Sequence, residues 1–160
     1  MGTRAEELAT KFGDACREMS KVVEGLSETD WKKVTSAENW PVGVVAHHAA
    51  EGQAGISGLV QMVAKAQPLP GLTMDMIHAN NAKHAKEQVN VTKAETLALL
   101  KANGSTASAI VRGLSDVELD RSASLLGGMP AVTAAQAIEA ILINHVNEHL
   151  GSIKATTGAK

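Results

Sequence analysis

The chain has 160 residues, 44% of them hydrophobic and only 2% aromatic, with a formal net charge of −2. That is enough chain for a sizeable core, and residues 1–160 read as a single domain. Charges of both signs are mixed along it and the only aromatic residues are Phe12, Trp31 and Trp40, so there is neither a basic stripe nor a stacking platform for nucleic acid.

Abundant Ala, Val, Leu and Ile with few aromatics suit helix-on-helix packing, and the expected class is all-α. Cys16 is the only cysteine, which excludes an internal disulfide and a Cys-based zinc knuckle. Gly2 to Glu7 lacks the apolar core of a signal peptide. The most apolar run, Ala131 to Ile143, is interrupted by Thr133, Gln136 and Glu139 and is shorter than the ~20 residues of a membrane span. A cytoplasmic protein with no membrane partner is expected.

Leu8, Phe12, Ala15, Met19, Val22 and Leu26 recur at steps of three and four, which predicts a first amphipathic helix from Thr3 to Leu26. Cys16 lies beside that stripe and reads as a small, partly buried thiol. After a polar turn, Pro41 fits the first position of a second long helix, which runs to Ala66 and is ended by Pro68-Leu69-Pro70-Gly71. His48 shares an apolar face of this helix with Val44, Val45, Gly52, Gly55, Ile56 and Leu59. Its four glycines (Gly43, Gly52, Gly55 and Gly58) each cost about 1 kcal/mol relative to Ala, which calls for close helix approach or room for a ligand. His47 points about 100° away from His48 and is expected to be exposed or to support the site.

Between Gly71 and Asn90 a short helix carrying Met74, Ile77 and Asn81 is expected, with His78 and His84 read as surface histidines. Thr92-Lys93-Ala94-Glu95 is a capping box that opens a third long helix through Leu114, with a bend possible at Asn103-Gly104-Ser105. Ser115-Asp116-Val117-Glu118 predicts a single turn, Ser124 to Pro130 a loop, and Thr133-Ala134-Ala135-Gln136 the cap of a last long helix ending near Ala155.

That last helix carries His145 and His149, four residues apart and so one turn apart on one face. The face continues through Ile138, Ile141, Leu142 and Ile153, so both imidazoles are expected to point inward and could hold one ion. The residue after His145 is Val146, not Glu, so the HExxH motif with its built-in base is absent. A third ligand must come from elsewhere, and depth makes His48 geometrically possible. It lies roughly 10 Å into the second helix, while the pair lies roughly 9 to 15 Å from the far end of the last one. The three meet if these helices are antiparallel, which needs a crossover supplied by the stretch from Gln67 to Val91.

Asn39-Trp40-Pro41-Val42-Gly43-Val44-Val45-Ala46-His47-His48, together with His145-Val146-Asn147-Glu148-His149, resembles the DinB-like superfamily, which includes YfiT-like metal-dependent hydrolases and low-molecular-weight thiol transferases. The segment Leu114 to Arg121 and the helix lengths extend the resemblance over nearly the whole chain. It implies a four-helix bundle with a crossover and a divalent ion, nickel or zinc, on His48, His145 and His149. It also implies a small-molecule substrate, in some members a low-molecular-weight thiol, and often a homodimer. Glu51, Asn80, Asn81, His84 and Glu148 are the polar candidates for proton transfer around such an ion. Thiol transfer is the preferred chemistry because a His-only ion can accept a thiolate without a strong protein base. Amide or ester hydrolysis, and a bundle that binds metal without turnover, are the alternatives.

Overall fold

The computed structural model describes residues 2–160, and they form a mostly helical chain. In order come α1 (Thr3–Gly25), α2 (Glu28–Lys32), α3 (Val42–Ala64), α4 (Met74–Glu87), α5 (Lys93–Arg112) and α6 (Asp116–Leu119). A two-residue antiparallel pairing of β1 (Ser122–Ala123) with β2 (Val132–Thr133) follows, then α7 (Ala134–Ala137), a π-helical stretch Ile138–Ile143, and α8 (Asn144–Thr157). No described helix is long and apolar enough to cross a membrane.

The four long units of the bundle are α1, α3, α5 and the continuous run of α7, π-helical stretch and α8. α5 packs along both α1 and α3, and α8 packs along α3 and, less extensively, α1. The buried face of α1 is the expected stripe, whereas on the face expected for α3 Gly55 is exposed and Gly52, Ile56 and Leu59 are only partly buried. In the core, Phe12, Met19 and Val23 come from α1, Val45, Ala49 and Val60 from α3, and Leu100, Ala107 and Val111 from α5. Ile138, Leu142, Val146 and Ile153 come from the last unit, and all of these side chains are at most 2% exposed. Thr92 with Glu95, Ser115 with Glu118 and Thr133 with Gln136 form the three capping boxes that the spacing predicts, each stabilising its helix start by about 1 kcal/mol.

α5 runs unbroken through Asn103-Gly104-Ser105 as one element. Asn103 Nδ2 donates to the Ala50 carbonyl of α3 at 2.9 Å, so this polar residue faces a neighbouring helix. The α1–α3 connection is more ordered than a polar turn. Trp31 on α2 lies against Gly43, where a Cβ would stand 2.5 Å from the indole nitrogen, and that nitrogen donates to the Val91 carbonyl at 2.9 Å. The chain then doubles back, with Thr35 N on Trp40 O and Val42 N on Lys33 O, both at 2.8 Å. Asn39 takes the left-handed conformation (φ 60°) at the tip, which Asn tolerates better than most residues. This short hairpin puts Glu38 at the start of α3 and close to the end of α8.

Candidate metal centre

His48 on α3 and His145 and His149 on α8 converge, with one ligating atom from each within 4.8 Å of the others. Ring centroids are 4.9 Å apart for His48 and His145, 4.9 Å for His48 and His149, and 4.5 Å for His145 and His149. His48 Nε2 and His145 Nε2 face each other at 3.1 Å. Three features place these rings. Trp40 meets the His48 ring edge-on at 5.3 Å. Gly52 leaves the space for His145, since a Cβ there would stand 2.2 Å from its Cε1. His149 Nδ1 lies 2.8 Å from Glu38 Oε1, which leaves Nε2 as its free nitrogen.

Glu38 is the participant that the sequence did not reveal. Burial opposes its ionisation, but hydrogen bonds from Ser152, Thr35 and His149 outweigh that and hold its carboxyl below the usual range. Ser152 Oγ donates to Glu38 Oε2 at 2.6 Å, so both carboxylate oxygens are engaged. A carboxylate behind an imidazole fixes the tautomer and raises the basicity of the outward nitrogen, as around ligating histidines generally. Glu38 directly precedes the Asn39-to-His48 motif, inside what reads as a turn, and no periodicity marks it.

Burial pushes the imidazolium pKa of His48 down to about 3, with His149, His145 and His84 adding repulsion. Burial likewise lowers His145 to about 4, with help from His149. Both rings therefore keep an unprotonated nitrogen at neutral pH. The set fits a divalent metal ion. The donors are imidazoles, two of them are held uncharged, and the third is oriented by a carboxylate.

The polar candidates separate. His84 is buried rather than on the surface, with its ring 5.5 Å from that of His48, because α4 lays it over α3. His47 is also buried rather than exposed, and its Nδ1 lies 2.8 Å from His84 Nε2. Glu51 is half exposed with Oε2 3.5 Å from His84 Nε2, so it joins His84 rather than the three-histidine cluster. Glu148 faces outward and accepts from Asn144 Nδ2 at 2.9 Å. Asn80 and His78 are exposed and Asn81 half-buried on α4, and none has a side-chain hydrogen bond to the clustered histidines.

A separate cleft lies elsewhere. It encloses about 1020 Å³ between α1 and α5, is lined by residues including Cys16, Arg17, Lys101 and Gly104, and contains no histidine. Burial pushes the Cys16 thiol up to about 12, partly offset by Arg17, so it holds no reactive thiolate.

A helical bundle whose helices bring three histidines to one point defines a class of candidate metal-dependent proteins. The model of the DinB superfamily matches residues 12–153, and the chain belongs to that superfamily. Among solved structures it is similar to YfiT from Bacillus subtilis, described as a probable metal-dependent hydrolase with an unusual four-helix bundle topology. That match has a TM-score of 0.75 and 14% identity, covering 100% of this chain and 91% of the other. It is also similar to a variant of the mycothiol-dependent maleylpyruvate isomerase, with a TM-score of 0.76 and 12% identity, covering 100% of this chain and 65% of the other. At these identities the likeness speaks for the fold alone. No curated protein sequence matches.

Proposed function

We propose that the chain is a metal-dependent enzyme in which His48, His145 and His149 hold one divalent ion, nickel or zinc by donor type, and that it transfers a low-molecular-weight thiol to a small electrophile. The carrying observation is the convergence of three imidazoles with no cysteine among them. The only thiol of the chain lines a different cleft and is held protonated. A thiol nucleophile therefore arrives with the substrate. A divalent ion on three uncharged donors keeps its full charge and lowers the pKa of a thiol or water placed beside it.

The residues of the chain supply the rest. Burial keeps His48 and His145 unprotonated, Glu38 turns His149 so that Nε2 is free, and Gly52 admits His145. A free thiol has a pKa near ~8.5, so little further help is needed to ionise it. The reading includes α3 and α8 running antiparallel, joined through a crossover. Two contacts support that: Glu38, before α3, meets His149 and Ser152, whereas Gly52, farther along α3, meets the earlier His145.

Hydrolysis of an amide or ester is a second reading, and His84 favours it. A buried imidazole near His48 and beside the Glu51 carboxylate could take a proton from water and return it to a leaving group. The discriminating experiment incubates metal-loaded protein with a panel of low-molecular-weight thiols plus a generic electrophile, and separately with amide and ester substrates. Each arm is compared with a His145→Ala control. Conjugate formation lost in the control supports transfer. Hydrolysis lost in the control, with no conjugation by any thiol, replaces it with the second reading, and silence in both arms points to metal binding without turnover.

A further inference from the structure

His47 and Glu51 lie four residues apart on α3 and so share a face, which is turned away from that of His48. α4, started by Thr73, whose side chain accepts from Met76 N, lays His84 over this face. His47 Nδ1 stands 2.8 Å from His84 Nε2, and Glu51 Oε2 stands 3.5 Å from the same nitrogen. The two rings are nearly parallel, 21° apart in plane with centroids 5.0 Å apart, and both residues are only 8% exposed.

Hydrogen bonding alone serves this arrangement poorly. A neutral imidazole carries one proton, and His84 Nε2 is faced by both an imidazole nitrogen and a carboxylate oxygen. If His84 Nε2 accepts from His47, it repels the Glu51 oxygen. If it donates, one proton is shared between two acceptors. In either case His84 Nδ1 is buried without a partner. A cation among the three groups would turn their competing lone pairs into ligands.

We propose that His47, Glu51 and His84 form a second divalent-cation site, adjacent to and separate from the one made by His48, His145 and His149. All three ligating atoms lie within 4.8 Å of one another. Two imidazoles and one carboxylate are the donor set of open, three-ligand sites for zinc and neighbouring first-row ions. The half-exposed Glu51 carboxylate offers a path from solvent and cancels part of the ion's charge, which the three-histidine site does only indirectly through Glu38. The two sites are neighbours because His47 and His48 are consecutive, and Trp40 approaches both His48 and His84, at 5.3 and 6.4 Å between ring centroids. With an ion bound, His84 has no free Nε2 for proton transfer, so this role and that of proton carrier exclude each other.

The ligand residues of the two sites are disjoint, so the test separates them. Protein purified without a nickel column is stripped with chelator and titrated with Zn²⁺ alone under equilibrium dialysis and elemental analysis. Co²⁺ absorption gives an independent count, and thermal melts check folding. The wild type should bind about two ions per chain, and His145→Ala, His84→Ala and Glu51→Gln about one each. Glu51→Gln alters a half-exposed side chain and keeps the test decisive if His84→Ala does not fold. One ion in the wild type, lost in His145→Ala and untouched in Glu51→Gln, overturns the second site and leaves the first standing. Two ions retained in both Glu51→Gln and His84→Ala overturn it as well.

Discussion

Replacing Gly52 with Ala opposes two effects of known size. In a helix interior the change should stabilise the protein by about 1 kcal/mol, through propensity. The new Cβ, however, would stand 2.2 Å from His145 Cε1, 2.7 Å from Nδ1 and 3.1 Å from Nε2. Carbon atoms in contact rest about 3.5 Å or more apart, so the imidazole must retreat by about 1.3 Å or more. Its route is obstructed, because His48 Nε2 is 3.1 Å away and the His149 ring centroid 4.5 Å away. Overpacking of this kind costs about 1 to 3 kcal/mol, so the net change should fall between neutral and a loss of about 2 kcal/mol.

Metal binding should suffer far more than stability, since a ligand displaced by over ~1 Å misses the ~0.5 Å tolerance of a built site. Gly52→Ala should weaken Zn²⁺ affinity by about 100-fold or more, beyond the loss seen when a residue merely supporting a ligand is changed. The control is Gly55→Ala, one turn on, where a Cβ meets nothing within 4 Å. It should gain up to about 1 kcal/mol in urea melts and bind metal normally. Wild-type affinity in Gly52→Ala would falsify the placement of His145, and an equal loss in Gly55→Ala would show that helix stiffness, not contact, is being measured.

Ala at His48, His145 or His149 should leave a helical, cooperative fold with strongly reduced binding at the three-histidine site, checked by circular dichroism and metal analysis; full affinity in all three variants removes the site. Glu38→Gln should weaken binding by about 10- to 100-fold through His149 with little loss of helix content, and unchanged affinity would make Glu38 a structural residue only. For the metal-free protein, His48 and His145 have folded pKa values of about 3 and 4, below their unfolded value of ~6.5. The unfolded chain therefore binds the extra protons, so these two contribute no pH dependence above ~6.5. Below it, stability should fall toward pH 4 by up to about 1.4 kcal/mol per pH unit for each of them, and a melting temperature that rises on acidification contradicts this. For topology, cysteines at Val42 and Ile153 in a Cys16→Ser background should cross-link, and preferential linkage of Val42 to Ala134 would overturn the proposed antiparallel arrangement of α3 and α8.

Local signals were legible where they act locally. The caps at Thr92, Ser115 and Thr133 and the stripe of α1 follow from spacing, and the ends of α1 and α3 fall within one or two residues of expectation. His47 and His84 were not legible as buried residues, because their burial depends on α4 crossing α3, a contact between segments more than thirty residues apart in sequence. Glu38 was hidden for the same reason: it is a turn residue whose partners, His149 and Ser152, are separated from it by 111 and 114 positions.

The last long unit shows how a correct pattern can conceal an irregular backbone. Among its buried residues, Ala134, Ile138, Leu142, Val146 and Leu150 recur at steps of four, with Ala137 and Ile153 buried beside them. On a regular α-helix each such step drifts by about 40°, so four steps would carry the stripe by about 160°, nearly to the opposite side. The π-helical stretch Ile138–Ile143 holds more residues per turn and takes up part of that drift. It ends directly before Asn144 and His145, so the aim of His145 and His149 depends on where the wide turns stop. The core face of α8 passes through Val146, Leu150 and Ile153, while the two histidines flank it, half-buried and facing α3. The same wide turns that keep the apolar side chains in the core thus leave a polar seam along its edge, where His48 from α3 completes the cluster.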